Sequence, residues 1–272
     1  MIAAYTGWMW VRQFDDADDS HGFRTAFEQS VKELSYLGYS AMENWTFLSR
    51  HLTAAEVREI CHRYRTKMVC LYANIDEGIE SLKRSVTFIA EIGGQWMIVA
   101  SPNWPAEVTL DSPVDEAEII REAAILNELG AYALERGVTI LHNPHSYTPI
   151  SRRNEIDRLM MLTDPECVKL CVDVGHSVIS GVDAISLVKD YADRVQYIHV
   201  KDIDPHRAWR GRGQSWVPLG LGTVDLQGFL KTLREIQYSG VVCAGLPMGC
   251  EWINTFESAR IAREYLRVAG GF

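Results

Sequence analysis

VKLCVDVGH (168–176) and VQYIHVKD (195–202) are the stretches whose reading decides the fold. Each is a short apolar run that ends in residues able to bind metals or move protons. The first delivers Asp173 and His176; the second delivers His199, Lys201 and Asp202. Near-continuous apolar runs separated by a helix-length amphipathic stretch are the sequence form of neighbouring parallel strands. Parallel strands bring their C-terminal residues to one face, so Asp173 and His199 are expected to meet in space.

The same alternation extends in both directions. Strands are expected near 2–9, 40–43, 67–72, 95–100, 138–142, 168–173, 195–200 and 240–245. Helices are expected near 24–37, 53–65, 77–92, 113–136, 151–163, 182–192, 225–237 and 254–268. The longest helix carries Asp115 and Glu116 near its start and Gly137 after its end, as N-terminal acid and C-terminal glycine require. Eight strand–helix units in 272 residues match a (β/α)8 TIM barrel, read as one domain over 1–272. A doubly wound open sheet is the competing architecture, but no GxGxxG follows the first strand. Two long connections, 101–112 and 203–224, leave the C-terminal ends of strands four and seven. Loops longer than about 12 residues in compact domains are usually functional or disordered. The Trp, Arg and Gly content of the second suits a flap over a substrate.

Composition narrows the function classes. The chain is 47% hydrophobic and 23% charged, ordinary for a globular protein with a sizeable core. A net charge of −9 argues against nucleic acid and anionic membrane partners, which call for clustered Lys and Arg. No apolar run reaches the ~18 residues of a membrane span. The start, MIAAYTGWMWVRQF, lacks the pattern of a signal peptide, so a cytoplasmic location is expected. Cys70, Cys167, Cys171 and Cys243 lie in or beside strand-like runs, Cys61 and Cys250 have no obvious partner, and no CxxC occurs. All six are expected to be reduced and to pack as small hydrophobes.

The expected strand ends supply donors for a divalent cation. Strand two ends at Glu43, strand five in His142-Asn143-Pro144-His145, strand six in Asp173 and His176, and strand seven in His199 and Lys201. Asp, His and Asn are suitable ligands for Mn²⁺, Co²⁺, Mg²⁺ or Zn²⁺. The competing reading has the Asp capping the next helix and the histidines satisfied by backbone. Seven tryptophans, Trp8, Trp10, Trp45, Trp104, Trp209, Trp216 and Trp252, fall at or just after strand ends. Their faces suit a sugar ring or a flat ligand, and the alternative is that they plug the barrel mouth or bury a subunit interface. Arg207, Arg210 and Arg212 in the long loop either grip a phosphate or carboxylate or form a solvated surface. The substrate wall is assigned to Trp8, Trp10, Trp45, Trp104, Trp209, Arg210 and Trp216.

The succession GVTILHNPH, EIDRLM, CVDVGH, YADRVQYIHVKD and PLGLGTVDLQGFLKTLREIQYSG resembles the xylose-isomerase-like sugar isomerase and epimerase barrels, and within them the inosose dehydratase branch. The likeness is dense from about 113 to 242 and looser before that. It implies a divalent metal at the barrel mouth, with ligands from strands five to eight. Carried over by position, Asp173 and His199 are retained ligands, Asn143 stands at the strand-five position, and Gly245 stands where strand eight has a Glu. Gly has no ligand to give, and Glu251 is the possible replacement. In the isomerases of the group the strand-five and strand-eight carboxylates also form the acid–base pair. Their absence here disfavours a two-carboxylate 1,2-isomerase or 3-epimerase and leaves His145, His176, Lys201 and Glu43 as the proton-transfer candidates. The resemblance implies a lyase or isomerase acting next to a carbonyl on a keto-sugar, an inosose or a glycoside oxidised at carbon 3. Barrels of the group often pair, so a homo-oligomer is expected. The competing function is a metal-poor barrel that binds carbohydrate or a partner without catalysis.

Overall fold

The computed structural model describes residues 1–14, 18–103, 109–110, 112–206, 215–245 and 254–272. Seven parallel strands, β1 (Ile2–Thr6), β2 (Ala41–Trp45), β3 (Lys67–Asn74), β4 (Trp96–Ala100), β5 (Thr139–Asn143), β6 (Val168–Asp173) and β7 (Val195–Val200), are joined by an eighth barrel strand, β10 (Val241–Ala244). They close in the order β1-β10-β7-β6-β5-β4-β3-β2, so the chain is a (β/α)8 barrel. Closure is fixed by register: Ala4 faces Cys243 across β1–β10, and Cys243 faces His199 across β10–β7. Two further strands, β8 (Asp202–Asp204) and β9 (Ser215–Val217), form an antiparallel hairpin after β7.

The helix layer follows the expected spacing: α1 (Trp8–Val11), α2 (Ser20–Tyr36), α3 (Leu48–His51), α4 (Ala54–Arg63), α5 (Ile79–Ile92), α6 (Glu116–Leu134), α7 (Arg153–Leu162), α8 (Val174–Ile179), α9 (Ala184–Asp190), α10 (Leu226–Glu235) and α11 (Thr255–Tyr265). The starts are chemically marked. Thr53 and Glu56 make a reciprocal capping box at α4, and Asp115 accepts from the Ala117 N–H at α6. Leu, Ile, Val and Phe of the inner helix faces pack with the outward strand residues into one large buried cluster. Inside the barrel the filling is smaller, with Ala4, Ala41, Cys70, Ile98, Leu141, Cys171, Tyr197 and Cys243. Short side chains on some strands make room for Tyr197, as layered barrel interiors require.

Two expectations change. The first strand stops at Thr6 rather than running to residue 9, because Trp8–Val11 turns into a helix. Gly7 sits at that turn, where an added Cβ would press on the end of the Met42 side chain. The connection after β7 is also more ordered at its ends than a plain loop. The Asp202 carboxylate accepts N–H groups from Ile203, Gly220, Gly222 and Val224 at 2.9–3.1 Å, binding both ends of the segment together. Gly222 is required there, because a Cβ would fall 2.2 Å from Asp202 Oδ1.

Candidate active site and metal centre

The ends of β2, β5, β6 and β7 converge on one buried group of polar side chains. Asp173, the last residue of β6, divides its two oxygens between two tasks. Oδ1 accepts the His176 N–H at 3.1 Å and caps α8, while Oδ2 receives Lys201 Nζ at 2.5 Å and lies 3.6 Å from His199 Nδ1. The helix-cap reading therefore holds for Oδ1, while Oδ2 faces Lys201 and His199. On the other side of the ring, His199 Nε2 bonds Glu43 Oε2 at 2.8 Å. Asn143 Nδ2 stands 3.3 Å from His199 Nδ1, and its Oδ1 is buried with no hydrogen-bond partner.

Electrostatics in this corner follow from burial plus close opposite charge. Burial alone would raise the Asp173 carboxyl, but Lys201 beside it and the nearby histidines hold it well below the usual range. Glu43 is lowered in the same way, with burial outweighed by the charge and hydrogen bond of His199. Burial pushes His199 down; Cys171, Glu43 and the hydrogen bond that the ring donates to Asp173 outweigh it and hold the imidazole well above its ordinary value.

A second histidine group sits beside the first. His176 Nδ1 and Ser146 Oγ are 2.7 Å apart, the His145 ring lies 3.3 Å from the His176 ring, and Trp216 packs edge-on to His176 at 4.8 Å. Burial lowers both imidazoles, His145 to about 3 and His176 well below 6.5. They are neutral at pH 7. In the tautomer that donates its Nδ1 proton to Ser146 Oγ, His176 Nε2 carries a lone pair, and this buried atom has no hydrogen-bond partner among the described residues.

The expected tryptophan wall resolves into distinct roles. Trp8 stacks toward Trp45 at 5.7 Å, Trp45 toward Tyr72 at 4.7 Å, and Tyr72 toward His199 at 6.1 Å, a continuous aromatic wall leading to the polar group. Trp216 packs by the second histidine group, with Lys201 Nζ 5.7 Å from its ring centroid. Trp10 instead donates its indole N–H to Glu33 of α2 at 2.7 Å, which ties it to the helix layer. Trp104, Trp209, Trp252, Arg207, Arg210, Arg212 and Glu251 lie outside the described residues. Sequence reasoning missed Ser146, Tyr72 and Cys243 as members of this region. Ser146 and Tyr72 gave no signal of their own, whereas Cys243 could have been found from its place one strand over from His199.

The metal that the fold family implies can be tested against these donors. Asp173, His199 and Asn143 do converge, and the orphaned Asn143 Oδ1 is a carbonyl acceptor suited to a cation. Gly245, just past β10, adds nothing, and a Cβ there would come 2.7 Å from Thr6 Cγ2. A second set lies on the other side of the same ring: Glu43, His199 and Cys243 offer one donor atom each, all within 4.8 Å of one another. The residues present fit a divalent ion centred on His199.

Comparison with known proteins decides the family. The family model of the xylose isomerase-like TIM barrel matches residues 31–268. The chain belongs to this family. It is similar to the inosose dehydratase of Lacticaseibacillus casei, 32% identical over 272 residues that cover 90% of each chain. It is also similar to the inosose dehydratase of Clostridium beijerinckii, 27% identical over 284 residues covering 95% of this chain and 94% of the relative. Among solved structures, the IOLI protein with a bound zinc atom superposes with a TM-score of 0.76 at 16% identity, covering 100% of this chain and 98% of that one. Among the described residues of this family member, no helix is long and apolar enough to cross a membrane.

Proposed function

We propose that this barrel is a lyase or isomerase of keto-sugars or cyclitols, of the inosose dehydratase kind, removing a proton from the carbon next to a carbonyl. The observation that carries the reading is the Lys201–Asp173 pair set in the same buried corner as a neutral His176 whose Nε2 has no partner. Such a corner offers a hydrogen-bond donor of positive charge for a developing enolate oxygen and a lone pair for the adjacent proton.

The steps follow from these positions. A ketone oxygen bound at Lys201 Nζ gains negative character as His176 Nε2 takes the α-proton, and the ammonium stabilises it. Burial weakens His176 as a base and makes its protonated form a strong acid, so the same proton passes on readily to a β-hydroxyl. The C–O bond then breaks, water leaves and a conjugated ketone remains. Return of the proton to the carbon skeleton instead gives isomerisation. Ser146 holds the His176 ring in place through Nδ1, and the Trp8–Trp45–Tyr72 wall and Trp216 exclude water from the ring faces of a bound sugar or cyclitol. A divalent ion, Mn²⁺, Co²⁺, Mg²⁺ or Zn²⁺, held at His199 polarises the carbonyl when bound.

The test is incubation with an inosose, following the ultraviolet absorbance of a conjugated product and water loss by mass. Turnover is expected from the wild type, with a loss of at least ~100-fold in His176→Ala, the size of a general acid–base contribution. The second reading, a binding subunit, is favoured by Gly245, which leaves the eighth barrel strand without a carboxylate at its end. Saturable binding of the ketone with no conversion, under any added divalent metal, establishes that reading and overturns the first.

A further inference from the structure

We propose that this chain holds its divalent ion through a strand-eight thiolate, in a buried Glu43–His199–Cys243 centre selective for thiophilic cations such as Zn²⁺ and Co²⁺. The proposal deepens the metal-assisted reading above and rests on it. Its geometry is set by the barrel. Cys243 on β10 is the direct register partner of His199 on β7, and both point inward. Glu43 reaches the same spot from β2 and already meets His199 Nε2 at 2.8 Å. The three donor atoms lie within 4.8 Å of one another. Around a tetrahedral zinc with bonds of about 2.0–2.3 Å, donor atoms stand roughly 3–4 Å apart. Contraction by about 1 Å closes the set.

Two further observations point into this spot. Tyr197 is completely buried, lies against Glu43 and Cys243, and its hydroxyl makes no well-formed hydrogen bond. A carboxylate or thiolate drawn onto a cation is the acceptor such a phenol requires, as hydrogen-bonding partners around metal ligands generally are. The Cys243 thiol, for its part, lies against Tyr197 and donates to the carbonyl of the next residue, Ala244, at 3.6 Å. Meanwhile the mouth-side alternative is partly spent, with Asp173 Oδ2 held by Lys201 and no donor at Gly245. The eighth barrel strand thus offers nothing at its tip and a sulfur two residues inward. Loading requires the thiol to lose its proton and His199 to be neutral, so binding releases protons. Thiolate and imidazole ligation favours Zn²⁺ and Co²⁺ over Mg²⁺ and Mn²⁺.

The whole chain, stripped with a chelator, is titrated anaerobically with Co²⁺ and read by absorption spectroscopy, with inosose turnover measured on the same samples. One equivalent of Co²⁺ is expected to give a thiolate-to-cobalt charge-transfer band. That band is expected to vanish in Cys243→Ser, to persist in Cys171→Ser and Asn143→Ala, and to resist at least a ~100-fold excess of Mg²⁺. Cobalt bound without the band, a band that survives Cys243→Ser, or binding below a tenth of an equivalent each overturns the proposal. Turnover in those samples shows whether the enzyme reading stands without it. Should Cys243→Ser not fold, X-ray absorption of the zinc-loaded wild type decides: one sulfur at about 2.3 Å supports the centre, and none overturns it.

Discussion

The β6–β7 corner and the end of β10 are neighbours on one barrel rim, yet they carry opposite inventories. At β6–β7, Asp173, His199 and Lys201 are buried or nearly so and satisfy one another, with Glu43 closing the far side. At β10 the strand ends in Ala244 and Gly245, and the nearest group to an added Cβ is the Thr6 methyl. The difference teaches that this site is lopsided. Among the described residues, positive charge and proton carriers collect on one half of the mouth, and the other half contributes a sulfur from deeper in the strand. Among the described residues, the end of β10 offers no second carboxylate opposite Asp173.

The strongest way to break that contrast is Asp173→Ala. It strips the β6–β7 corner of its carboxylate, leaves Lys201 and His199 facing an apolar gap and removes the α8 cap. Removing one partner of a buried ion pair costs about 3–5 kcal/mol, so urea unfolding is expected to shift by that much. A change under about 1 kcal/mol means the corner is not a coupled cluster.

A second buried acid sharpens what the cations achieve. Glu122 of α6 is fully buried with one hydrogen bond, from Ser101 Oγ at 2.6 Å, and its other oxygen has none. Burial, offset only in part by Ser101 and Arg121, raises its pKa to about 7, opposite in direction to Asp173. The folded state then binds more protons than the unfolded chain between the ordinary carboxylate pKa and about 7, so stability falls as pH rises through that window. The loss is about 3 kcal/mol at most, and Glu122→Gln is expected to flatten it. Denaturant midpoints of both proteins at pH 4.5 and 8 check this; parallel pH curves would sink it.

The smallest effect belongs to the bare side. Gly245→Ala is expected to cost about 1 kcal/mol or less, because the Thr6 methyl in its way can give, and to leave inosose turnover within about twofold of wild type. A collapse of turnover with the fold intact would mean the β10 tip belongs to the machinery after all.

Much of this is legible in the sequence. The eight barrel strands follow from apolar runs at regular spacing, and Asp173 pairs with His199 because parallel strands end on one face. Other parts had no local signature. Trp10 looks like Trp8 in sequence, and only the position of Glu33 on α2 decides that its indole is tied to the helix layer. Ser146 is a loop residue until α8 brings His176 within 2.7 Å of it. The β8–β9 pairing joins segments apart in the chain, Asp202–Asp204 and Ser215–Val217, which periodicity does not report. Cys243 read as a small hydrophobe in a strand, and it is one; its second character comes from standing beside His199.

By itself the sequence determined the barrel, the direction of its strands and which residue types crowd its C-terminal rim, because burial and chain period act locally. The tertiary structure alone decided how those residues divide: which oxygen of Asp173 caps a helix and which meets Lys201, which nitrogen of His199 faces Glu43, and which histidines are stripped of charge. Those are matters of distance and desolvation among groups far apart in the chain, and only closure of the barrel sets them.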